Sequence, residues 1–236
     1  MKNRIDLFKK IKKFKDEIPV IILLGGPGSG KGTQALFIKE KYNFFHLSPG
    51  DLFREEMKKD TRLGRILKKN YEKGIPQPND LVNRLVYKKL KEKLKIKRPI
   101  GIIFDMYPFN KIQAQALEGL REEFHFKPPL IFWIEIKENE IFKRLSKRLI
   151  CIKCKRNFKS DEIGNKKICP YCNHRLTRRK DDSSRVIKKR IGLYYKVKKE
   201  LKEFYENYPF LFDIDGSPQP SIVFRNIDKI IRKFIE

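Results

Sequence analysis

A short apolar run, Pro19-Val20-Ile21-Ile22-Leu23-Leu24, breaks directly into Gly25-Gly26-Pro27-Gly28-Ser29-Gly30-Lys31-Gly32-Thr33, and this junction restricts the chain more than any other feature. Such a run fits a strand buried on both faces of a parallel sheet. Glycines placed straight after it let backbone N–H groups converge on phosphate oxygens. The helix that follows adds the positive end of its dipole, and Lys31 is positioned to reach β and γ phosphates. The strict phosphate-loop pattern sets Ser or Thr directly after the lysine, whereas here Gly32 intervenes before Thr33.

Further apolar segments at 100–104 and 130–136 alternate with Lys/Glu-rich helical patterns, and helices are expected around 182–206 and 221–235. Strands alternating with helices imply an α/β fold with a central parallel sheet. Ile102-Ile103-Phe104-Asp105 ends in a carboxylate, which beside a phosphate loop is the natural partner for Mg²⁺. At 236 residues with 40% hydrophobic side chains, one body with small inserted subdomains can bury a sizeable core, which excludes intrinsic disorder. No window approaches the ~18 apolar residues of a membrane span and no secretory signal opens the chain, so a soluble cytoplasmic protein is expected.

All four cysteines fall in one stretch, Cys151, Cys154, Cys169 and Cys172, as two CxxC pairs. Without a secretion signal this spacing points to four thiolates around one tetrahedral Zn²⁺. Two disulfides are the alternative, disfavoured in a reducing compartment. A closed four-thiolate site has no open position, so the zinc is structural, and it substitutes for an apolar core in a polar hairpin that contains Gly164 and Asn165. Arginines gather around this hairpin: Arg144 and Arg148 before it, Arg175, Arg178 and Arg179 after it, then Arg190. Guanidiniums closing on a transferring phosphoryl group would neutralise its charge and exclude water, which makes the hairpin a lid.

The net charge is +27, from 56 Lys+Arg against 29 Asp+Glu. It would attract any polyanion at low salt, but its even, Lys-rich spread specifies no nucleic-acid surface. Residues 1–17 form a basic extension with Ile5, Phe8, Ile11 and Phe14 at helical spacing, expected to dock on the core. Trp133, Tyr194 and Tyr195 are expected to be packing residues.

Together these residues resemble the adenylate kinase family of nucleoside monophosphate kinases, in the form with a zinc-bearing lid, from about residue 19 to the C-terminus. Gly25 to Gln34 matches the family's phosphate loop, including the Gly between Lys and Thr. Ser48-Pro49-Gly50-Asp51-Leu52-Phe53-Arg54 resembles the opening of its acceptor-binding insert, where Arg54 would contact the monophosphate. Ile75, Pro76 and Gln77 match the segment whose backbone meets the acceptor base, and Gln113 matches its base-reading glutamine.

The resemblance implies a phosphate-loop fold of three layers, with residues 18–236 as the core, 48–77 as the acceptor insert and 147–182 as the lid. ATP would contact Gly28, Ser29, Gly30, Lys31, Gly32, Thr33, Arg144, Arg148, Asn157 and Phe158. It further implies Arg179 and Arg190 as transition-state clamps, Asp181 and Asp182 as partners in lid closure, and Asp105 with Mg²⁺. Transfer of the ATP γ-phosphoryl to AMP by a monomer is the expected activity.

Three departures fall in the acceptor half: Pro49 for the family's Thr, Met106 for its Gly, and Phe109 for its phosphate-binding Arg. Phe109 offers a phosphate no hydrogen bond. An altered acceptor site is therefore expected. The alternatives are a kinase for another monophosphate, a weak AMP kinase in which a neighbour such as Arg62 or Arg65 fills in for the missing arginine, and an ATP-binding regulator that binds RNA.

Overall fold

The computed structural model describes residues 17–163, 167–179 and 181–235. The expected helix within residues 1–17 falls almost wholly outside these, as do Gly164, Asn165 and Lys180.

Five parallel strands form the centre: β1 (Val20–Gly25), β2 (Phe45–Leu47), β3 (Ile102–Asp105), β4 (Leu130–Glu135) and, from a later part of the chain, Leu211–Asp215. Their spatial order is β2, β3, β1, β4 and then the Leu211–Asp215 strand. Alternation along the strands fills two separate cores, as a sheet covered on both faces requires. Ile22, Leu24, Phe104, Ile131 and Trp133 point to one face, while Ile21, Leu23, Ile103, Phe132 and Ile134 point to the other.

Eight described helices surround the sheets: α1 (Lys31–Tyr42), α2 (Pro49–Glu56), α3 (Arg62–Glu72), α4 (Asn79–Ile96), α5 (Lys111–Glu123), α6 (Glu138–Ser146), α7 (Ser184–Tyr205) and α8 (Pro220–Ile235). The N-cap of α1 is Gly30, in a left-handed conformation with no side-chain cap, so the first-turn N–H groups of this helix lack a capping side chain. By contrast, Thr61 caps α3 through the Gly64 N–H, and Asn110 caps α5 through the Gln113 N–H.

A second, antiparallel sheet comprises β5 (Arg148–Cys151), β6 (Asn157–Lys159) and β7 (Leu176–Thr177), in the order β6, β5, β7. Its small core is Leu149, Leu176 and the buried Cys151 and Cys169. This sheet touches the rest of the molecule through Lys155, whose Nζ lies 3.5 Å from Glu55 of α2, and through an Arg156–Glu40 ion pair to α1.

The Leu211–Asp215 strand, β8 from here on, was not among the expected strands. It pairs with β4 from Ile131↔Leu211 to Glu135↔Asp215. The strand expected at 100–104 begins only at Ile102, because Gly101 abuts the Phe44 ring and Ile100 is exposed. Trp133 and Tyr194 are core residues as expected, joined by a hydrogen bond from the indole Nε1 to the Tyr194 hydroxyl at 3.0 Å.

Candidate active site

One cleft of about 760 Å³ lies at the carboxyl ends of β1 and β3, the edge at which open α/β sheets bind ligands. Its floor is the turn from β1 to α1. Gly25, Gly28 and Gly30 have φ of 138°, 77° and 100°, conformations that only glycine adopts at little cost. At Gly25 a Cβ atom would stand 2.0 Å from the Ile134 carbonyl oxygen.

Lys31 turns back onto this loop. Its ammonium donates to the carbonyl oxygens of Gly25 at 2.7 Å and Gly26 at 2.6 Å, and to Ser29 Oγ at 3.2 Å. Burial brings its pKa down to about 8, against the pull of Asp105 and helped by Arg190 and Arg148. Asp105 closes the floor from the end of β3, with Oδ2 3.4 Å from His46 Nε2. Gly32, Ser29 and Thr33 line the cleft beside it.

The guanidiniums of Arg54, Arg148, Arg179 and Arg190 line the same cleft. Arg148 pairs with Asp182 through two bonds, Nε to Oδ2 at 2.8 Å and Nη2 to Oδ1 at 2.6 Å. Arg190 Nη1 reaches Asp181 Oδ2 at 2.9 Å and Asp182 Oδ1 at 3.3 Å. Burial alone would raise the Asp181 carboxyl, but the guanidiniums of Arg190, Arg179, Arg148 and Arg54 outweigh it and hold its pKa below the usual range.

Arg179 differs from these. Its Nε is buried without a hydrogen-bond partner, and its polar contact is Nη2 to Asn157 Oδ1 at 3.3 Å. Burial first, then Arg148 and Arg54, lower its pKa to about 10. A buried cation held among other cations is a site for an anion that enters from outside.

The structure brings the remaining candidates to the same cleft. Arg54, Ile75, Pro76, Gln77 and Gln113 line it on the α2–α3 side, and Arg144 and Phe158 line it on the other. Several already have partners. Gln113 accepts from the Phe109 N–H at 2.9 Å and donates to Asn79 Oδ1 at 2.9 Å, while Gln77 donates to the Leu67 carbonyl at 3.1 Å. Arg144 donates to the carbonyls of Gly216 and Ser217, both at 2.9 Å.

One expectation changes. Arg62 and Arg65 do not line the cleft: Arg65 is exposed and pairs with Asp60 at 2.5 Å, and Arg62 is exposed as well. Neither stands in for an arginine at 109. Met106 lines the cleft and adopts φ 55°, the left-handed region that costs any residue but glycine. Residues 216–220 also line the cleft and were missed. The available signal was the alternation of Leu211 to Asp215 running into Gly216.

The cysteines meet at one point. Their four Sγ atoms lie within 4.8 Å of one another, with Cys151–Cys172 at 3.4 Å and Cys154–Cys169 at 3.6 Å, and none is in a disulfide. Zn–S bonds of ~2.3 Å in a tetrahedron set sulfurs about 3.8 Å apart, so this donor set fits a zinc ion.

Residues 23–209 match the family model described as adenylate kinase. The chain is 35% identical over 218 residues to the adenylate kinase of Lactobacillus gasseri, covering 90% of this chain and 98% of that protein. It is 33% identical over 213 residues to the adenylate kinase of Caldanaerobacter subterraneus subsp. tengcongensis, covering 89% and 95%. To that of Clostridium tetani it is 34% identical over 213 residues, covering 89% and 97%. The chain belongs to the adenylate kinase family of nucleoside monophosphate kinases.

Proposed function

We propose that this protein transfers the γ-phosphoryl group of ATP reversibly to AMP, giving two ADP, with ATP on the loop Gly28–Thr33 and AMP against residues 48–77. The observation that carries this is the half-buried Arg179, its Nε buried and unpaired, lining one cleft with Arg54, Arg148, Arg190 and the phosphate loop. An oxygen of the AMP phosphate attacks the γ-phosphorus, and the bond to the β,γ-bridging oxygen breaks in line, with the electron pair leaving on ADP. Arg179 and Arg190 stabilise the charge spread over the equatorial oxygens, and Arg54 and Arg148 hold acceptor and donor in position. Lys31 exchanges its loop carbonyls for the β and γ phosphates.

Asp105 is the carboxylate that would hold the Mg²⁺ of Mg-ATP, directly or through water, and the ion would supply neutralisation of the phosphate charge. Cys151, Cys154, Cys169 and Cys172 would hold a structural Zn²⁺ that keeps the sheet at 147–182 folded as a lid. Closing that lid and residues 48–77 excludes water, which would otherwise hydrolyse ATP. Free thiols fit a cytoplasmic setting, and among the described residues no helix is long and apolar enough to cross a membrane.

Pro49, Met106 and Phe109 favour a second reading, a kinase for a different monophosphate. Zinc-replete protein supplied with Mg-ATP and each of AMP, CMP, UMP, GMP and dTMP tests both, by chromatography of the diphosphates formed. The first expects AMP turnover on the order of 10 s⁻¹ or more. Preference for another acceptor selects the second, and no turnover of any acceptor overturns both.

A further inference from the structure

Phe109 leaves the acceptor end of the cleft short of a phosphate donor, and Arg62 and Arg65 are too far out to supply one. A different polar group lines the same cleft. Tyr71, near the end of α3, lines the cleft, and its hydroxyl oxygen accepts a hydrogen bond from Arg54 Nη1 at 2.8 Å. Arg54 is fixed from its other side by Asp51, with Nη2 to Oδ1 at 2.6 Å. The charges of Arg54, Asp181 and Arg179 all act on the Tyr71 hydroxyl, and Tyr71, Arg54 and Arg179 line the same cleft.

A tyrosine hydroxyl has one proton to give, and none of the described residues receives it from Tyr71. Burial holds the hydroxyl protonated, and accepting from a guanidinium polarises the O–H toward stronger donation. A side chain without formal charge also avoids a third cation beside Arg54 and Arg179.

We propose that Tyr71 is a binding residue for the acceptor's phosphate, its hydroxyl donating to a phosphate oxygen beside Arg54 in place of the donor that Phe109 cannot supply. This rests on reading residues 48–77 as the acceptor site. The ligand class is a nucleoside monophosphate dianion, and a nucleoside without phosphate gains nothing from Tyr71.

The test is steady-state kinetics on the full-length, zinc-replete protein. Tyr71→Phe keeps the ring and removes the hydroxyl. It is expected to raise KM for AMP about tenfold, the scale of one hydrogen bond to a charged group, while KM for ATP stays as it was. Phe109→Arg in that background is expected to recover most of the loss, and to gain less in the parent protein, where the donor is already present.

Arg54→Ala separates the possible failures. An unchanged KM for AMP in Arg54→Ala overturns the acceptor-site reading itself. A raised KM there with none in Tyr71→Phe overturns only the role of Tyr71. Comparing Arg54→Ala with the Arg54→Ala/Tyr71→Phe double variant shows whether Tyr71 merely positions Arg54. A further rise in KM for AMP supports direct donation, and no further rise overturns it.

Discussion

Arg148 and Asp182 are joined by two parallel hydrogen bonds across 34 residues of sequence, and both side chains are largely shielded from water. Arg148 begins β5 and Asp182 ends the return strand's approach to α7, so the pair clasps the two stems of the cysteine-bearing sheet where they meet the core. Removing Asp182 takes away both hydrogen bonds that Arg148 makes and leaves its guanidinium largely shielded without them. Asp182→Ala is therefore expected to cost about 3 kcal/mol of stability, read as a lower midpoint in thermal unfolding. An apolar pair, Arg148→Met with Asp182→Leu, is expected to regain most of that stability while activity stays lost. Recovery of turnover in the apolar pair would show that the clasp, and not the charge of Arg148, serves the reaction.

Lys31 gives a pH dependence with a defined sign. Its pKa in the free protein is lowered to about 8 by burial, so the ammonium is present below that pH and lost above it. A bound polyphosphate favours the ammonium, so above about pH 8 ATP must bind together with a proton. KM for ATP is then expected to be flat near neutral pH and to rise by up to about tenfold per pH unit above the break. Calorimetry of ATP binding in buffers of different ionisation enthalpy should show proton uptake above the break and much less below it. A KM profile flat through about pH 9 would show that Lys31 keeps its proton through that range, against the lowering that burial brings.

The sheet's centre was legible because β1, β3 and β4 are buried on both faces and read as near-continuous apolar runs. β2 is three residues long and β8 lies at the sheet edge with Asp213 and Asp215 exposed, so their apolar signal is weak. The same weakness hid residues 216–220. Loop glycines, Lys31, Asp105 and the cysteines were legible because each chemistry demands those residue types at fixed spacing. Tyr71 was not, because its role comes from a contact with Arg54 across 17 residues and from what position 109 lacks. Spacing alone carries neither.

The core of the sheet at 147–182 has few apolar side chains beside its cysteines: Leu149 and Leu176, with Phe158 and Ile163 packed against them. So small a core does not hold a three-stranded sheet without a staple. One zinc per chain is expected by elemental analysis of protein purified without chelator. Stripping it, or Cys169→Ser, is expected to abolish turnover and to make this segment sensitive to protease. The five-stranded core should keep its unfolding transition, because its two apolar clusters do not include the cysteines. Full activity in metal-free protein would mean that the hairpin folds on its remaining contacts.

Gly216 follows β8 and connects that edge strand to the phosphate loop. A Cβ there would lie 2.8 Å from the Ser29 carbonyl oxygen and 2.7 Å from Ile134 Cγ2, and neither can retreat cheaply, one being loop backbone and the other core. Its own carbonyl accepts from Arg144 Nη1. Gly216→Ala should therefore push the loop at Ser29 and loosen the Arg144 contact together, although no nucleotide contact is removed directly. The expected result is a rise of about tenfold or more in KM for ATP, with KM for AMP nearly unchanged because the α2–α3 side of the cleft is not touched. A loss confined to thermal stability, with both KM values unchanged, would show that the 216–220 turn only packs the core and does not set the position of the loop.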